Sequence, residues 1–167
     1  MVTSAFKECL TDIYRGEQVG EAIFETALLK AEDDEQRYIL GSLLQLETEG
    51  KAILRPVLMK YGLSVSVAED ARSEGKAAAA GLNDMSWTEQ FDIMAKGIQS
   101  IYLPKYEELA TFVTEEEDAE AYRLAKFMGD HERAIMIASQ SLAAGKSDPI
   151  APVIELLHFP LTQPPLV

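Results

Sequence analysis

The sequence predicts an all-α protein: an up-down bundle of four long helices, with a long crossover between the second and third and a short helix near the C-terminus. Three observations predict it. Four stretches carry apolar residues at alternating three- and four-residue spacings, the repeat of one helix face. Capping pairs and glycines bracket those stretches. Each stripe is interrupted by a polar or small residue where a bundle core would ordinarily hold leucine or alanine. A chain of 167 residues suits one domain, spanning 1–167, and can bury a proper core.

The first helix is expected over about residues 4–31. Ile13, Glu17, Gly20, Phe24 and Ala27 form its seam. Gly16 and Gly20 each cost ~1 kcal/mol against alanine inside a helix, so close approach of another group is expected there. The second helix, about 34–61, opens at Asp33 with Gln36 three residues on and stops at Gly62. Leu40, Leu43, Leu54 and Leu58 share its buried stripe, and Glu47 falls among them. Pro56 predicts a kink. The short connection makes these two helices antiparallel neighbours.

Residues 62–84 form a link long enough to cross the bundle, with its own short helix capped by Ser66 and Glu69. The third helix, about 87–113, starts at the capping box Ser86-Trp87-Thr88-Glu89. Its seam reads Gln99, Tyr102, Tyr106, Leu109 and Val113, with a kink expected at Pro104. The fourth helix, about 115–144, is expected to be capped by Thr114 and Glu117. Its seam is Leu124, Met128, His131, Ile135, Ala138 and Leu142. Asp148-Pro149 reads as the start of a short final helix. The tail 159–167 is expected to be extended.

A formal charge of −13 disfavours nucleic acid and anionic membranes as partners. No run of ~18 apolar residues predicts a transmembrane helix, and Met1 to Leu10 lacks the pattern of a secretory signal. Cys9 is the only cysteine, which suits a reducing cytoplasm. Phosphate loops, nucleophile elbows and paired-cysteine motifs are missing.

The four interrupted seams hold Glu17 and Gly20, Glu47 and Gly50, Gln99 and Tyr102, and Met128 and His131. With this pattern the chain resembles the ferritin-like superfamily, rubrerythrin-type members in particular, over about residues 4–145. In that family a lone Glu from each of two helices and a Glu-x-x-His pair from each of the other two hold two iron ions. Glu17-Gln18-Val19-Gly20 with Phe24 is similar to the family's first helix. Glu47-Thr48-Glu49-Gly50 looks like a Glu-x-x-His without its histidine. Gln99 looks like a lone Glu changed to an amide, and Met128-Gly129-Asp130-His131 like a Glu-x-x-His without its glutamate.

Three of the six ligands the resemblance implies therefore stand here: Glu17, Glu47 and His131. Gln99 and Tyr102 are the third helix's candidates for contacting a cofactor. Glu21, Glu49 and Glu132 are rotated about 100° off the seams and are expected in solvent. The final-helix Glu155-Leu156-Leu157-His158 is read as a helix end with histidine near the dipole.

The first functional expectation is a bundle whose di-iron centre has decayed: no cofactor, a non-redox binding or scaffold role, and a homodimer. The alternative is an iron- or manganese-dependent oxidase or oxygenase with an unusual ligand set, since two carboxylates and one imidazole suit a single metal. A plain dimerisation module with a dry core is the third.

Overall fold

Side-chain caps set where the long helices begin. Thr3 accepts from the Phe6 amide at 3.1 Å to open α1, Ser4–Leu28. Asp33 accepts from Gln36 at 2.7 Å to open α2, Asp34–Lys60. The expected box of Ser86 and Glu89 opens α4, Trp87–Gly97. Asp118 accepts from Ala121 at 3.2 Å to open α6, Ala119–Ala143. The computed structural model describes residues 2–164, which also include α3, Glu69–Gly81, α5, Leu103–Leu109, and α7, Ala151–Ile154. No strand occurs among the described residues, and no helix there is long and apolar enough to cross a membrane.

Several expected boundaries move. Helix α3 begins after Ala68, which offers no side-chain cap, and the Ser66 hydroxyl bonds that of Ser64 instead. Thr114 and Glu117 do exchange bonds, but they close a turn between α5 and α6 rather than starting α6. Ile150, not Asp148, precedes α7. Positions 165–167 of the expected tail lie outside the described residues. Helix α2 is continuous through Pro56.

Helices α4 and α5 form one rod, joined by a π-helical turn over Ile98–Tyr102. There the Leu103 amide donates to the carbonyl of Ile98, five residues back. Pro104 supplies the reason. Its ring would press on the carbonyl four residues earlier and offers that carbonyl no donor, and a widened turn relieves both.

Two apolar clusters fill the space between the rods. One joins Phe6, Leu10 and Ile13 of α1 with Leu54 and Leu58 of α2, Tyr106 and Leu109 of α5, and Leu124 and Met128 of α6. The other joins Phe24, Leu40, Leu43, Phe91, Ile135 and Leu142, from α1, α2, α4 and α6. The early part of α1 thus lies beside the late part of α2, and the late part of the α4–α5 rod beside the early part of α6. Running directions are up, down, down, up. The crossover carrying α3 travels the length of the molecule, as its length predicted.

That crossover is tied to α1. The Tyr14 hydroxyl donates to the Val65 carbonyl at 2.8 Å, and buried Gln18 accepts from the Ala68 amide at 2.6 Å. Arg15 bridges to Asp70 and Glu74 of α3.

Candidate metal centre

Between the two apolar clusters lies a polar layer. Its α1 and α2 contributions carry the same four-residue pattern, Glu-x-x-Gly, on antiparallel helices. Each glutamate lies in the notch left by the other helix's glycine. A Cβ added at Gly20 would collide with the Glu47 carboxylate, and one at Gly50 would collide with Glu17 Oε2 and stand 3.0 Å from His131 Nε2. Gly16 serves similarly: its Cβ would stand 2.6 Å from the Tyr106 hydroxyl. The glycines make room for the carboxylates.

Helix α6 brings His131 into the same layer. One ligand atom from each of Glu17, Glu47 and His131 lies within 4.8 Å of the other two, and all three residues are buried. His131 Nε2 lies 3.4 Å from Glu17 Oε2 and 3.3 Å from the Leu46 carbonyl. Tyr106 donates its hydroxyl to Glu17 Oε1 at 2.8 Å. Glu17 Oε2 and His131 Nδ1 have no hydrogen-bond partner. No family model, curated protein or solved structure matches the chain.

Burial decides the charge state. It pushes the Glu17 and Glu47 carboxyls well above the usual carboxylate range, with the Tyr106 hydrogen bond pulling Glu17 part of the way back and the Glu17 charge pushing Glu47 up further. It pulls His131 down to about 4, against the opposing bond to Leu46. The 3.4 Å approach of His131 to Glu17 therefore joins two groups whose charged forms burial disfavours. Ionising two unpaired carboxyls in this space would cost several kcal/mol each.

Glu132 corrects an expectation. It is buried, 6% exposed, rather than solvated, and burial raises its carboxyl to about 8. Its Oε2 lies 4.0 Å from His131 Nδ1. A rotation of 100° off the seam still leaves a side chain covered, because α6 packs against both α2 and the α4–α5 rod. The adjacency of Glu132 to His131 was the available signal. Glu21 and Glu49 are also partly buried: Glu21 pairs with Lys51 and Arg72, and Glu49 accepts from Gln45 and the His158 amide.

The α4–α5 rod corrects another. Gln99 is exposed and takes no part in the layer. The π-helical turn adds a residue to one helical turn, so the seam that would align Gln99 with Tyr106 slips, and Ile98 is buried instead. Tyr102, half-buried, lines the cavity beside the layer. Met128 is fully buried and offers only a thioether. Glu155 and His158 are both exposed.

Proposed function

We propose that this chain is a ferritin-like protein whose layer binds one divalent transition-metal ion in place of two, held by Glu17, Glu47 and His131. The carrying observation is the convergence of those three buried groups in a layer notched by Gly20 and Gly50, with Glu17 Oε2 and His131 Nδ1 left unpartnered. The up-down-down-up arrangement with its long crossover supports the ferritin-like reading.

The donor set fits such an ion. Two carboxylates neutralise a divalent charge, and a carboxylate–imidazole set suits Fe²⁺, Mn²⁺ or Zn²⁺. The donors stand within 4.8 Å of one another, and bonds of ~2.0–2.2 Å would draw them closer together on binding. Three donors suit one ion and do not suffice for two, since Gln99 has turned to solvent and Met128 supplies no carboxylate. When bound, the ion would supply Lewis-acid or redox chemistry. The chain's own contribution is to orient Glu17 through Tyr106, to exclude water, and to hold protons on the carboxyls until the ion displaces them.

Elemental analysis of protein grown with iron and manganese and purified without chelator tests this. One ion per chain is expected, lost in His131→Ala. Two ions per chain would contradict the proposal. None would favour a non-redox scaffold with a decayed centre.

A further inference from the structure

A cavity of about 250 Å³ lies between α1, α3, α6 and the α4–α5 rod. Its wall is apolar, built from Val19, Ile23, Phe24, Ile98 and Ile135. Glu47 and Glu132, both buried in the polar layer, border it, and no lysine, arginine or histidine does. Ala78 of α3 and Ile93 of α4 stand exposed at its rim. The cleft beside Lys30 and Asn83 is larger, about 310 Å³, but no residue of the layer reaches it.

We infer that this cavity is a binding site for a neutral, largely apolar small molecule that places one hydroxyl-type group against Glu47 and Glu132. The volume bounds its size. A dry cavity of ~150 Å³ accommodates benzene, so this one takes a molecule of roughly ten non-hydrogen atoms. Charge bounds its chemistry. An anion would meet two buried acids and no cation. An ammonium would shed its water against the apolar wall, which is costly without full pairing. A hydroxyl both donates and accepts, so it satisfies a carboxyl in either protonation state.

The site is distinct from the metal proposal but shares Glu47 with it, so an occupant lies against the polar layer. Titration of 2-phenylethanol, phenylacetate and 2-phenylethylamine, followed by ligand-observed NMR, tests the inference. The protein is used as purified and again after chelation, which separates this question from metal binding. Saturable binding of the alcohol is expected in both forms. The acid and the amine should each bind at least about tenfold more weakly, ~1.4 kcal/mol. Ala78→Trp and Ile93→Trp, both at exposed positions, should weaken the alcohol by a similar factor by filling the rim. Three results would overturn the inference: no saturable binding of the alcohol, an acid or amine that binds as tightly, or binding unchanged in both tryptophan variants.

Discussion

Gly20 and Gly50 hold open the space in which two acids from neighbouring helices cross. At Gly50 an added methyl meets Glu17 and His131, both fully enclosed. Gly50→Ala is therefore expected to destabilise the protein by about 1–3 kcal/mol, the cost of overpacking a core, measured by urea unfolding. At Gly20 the methyl meets only the Glu47 carboxylate, which borders the cavity and has somewhere to go. Gly20→Ala is expected to fold with a smaller loss and to bind metal about 10- to 100-fold more weakly, the range seen when a supporting contact at a metal is lost. Calorimetric titration with Mn²⁺ separates the two. Equal metal affinity in Gly20→Ala and the parent chain would remove Glu47 from the ligand set. The patterning of Glu17, Glu47 and His131 was legible in the sequence, because period-3.6 seams place them on buried faces. The pairing of each acid with the opposite glycine was not, since it depends on the relative axial shift of two helices.

At the scale of elements, α3 acts as a tie. Gly75 lies so close to α1 that an added Cβ would collide with the Val19 backbone carbonyl, and Val19 cannot yield as a flexible side chain would. Gly75→Ala is expected to loosen α3 from α1. Amides of α3 should then exchange hydrogen with solvent faster than those of α6, and the protein should lose about 1–3 kcal/mol. Protection of α3 unchanged in the variant would contradict the tight approach. Because Ala78 lies on α3 and borders the cavity, the same variant should also weaken 2-phenylethanol binding. The π-helical turn is the other element that shapes the site: it turns Gln99 outward and gives Ile98 and Tyr102 to the cavity wall. Pro104 announced a disturbance in the sequence. That the disturbance takes the form of a π-helical turn is seen only in the fold.

Across the whole molecule, the layer couples stability to pH. Glu132 keeps its proton to about pH 8 in the fold, whereas its ordinary value is 4.5. Between those values the native state binds the extra proton, so stability falls as pH rises. Glu17 and Glu47 are shifted in the same direction. His131 opposes them: it is neutral in the fold down to about 4 and ordinarily titrates at 6.5, so its contribution rises with pH across that window and is complete above it. Above pH 6.5 the carboxyls act alone. The Tm of metal-free protein is expected to fall from pH 6.5 to 8, and Mn²⁺ at pH 8 should raise it by binding the native state. A metal-free Tm that is flat or rising over that range would mean the acids are hydrated. At the acid end, Asp118 is held down to about 2 by Lys60 and Tyr61, so its support for the start of α6 is lost only as pH falls from its ordinary 3.8 toward 2.

By itself the sequence determined the all-helical class, the four long rods, the crossover and the three residues that meet in the layer. Each of these follows from local rules: a 3.6-residue period, side-chain caps, and the length of chain between caps. Only the tertiary structure decided that Glu132 is buried, that Gln99 is not, that the acids and glycines interlock, and that an apolar cavity borders the layer. Those depend on which second and third neighbours cover a helix face and on a register slip within one rod. The first is set by packing between segments far apart in the chain, where the period of a single helix carries no information, and the second by a π-helical turn that the period does not mark.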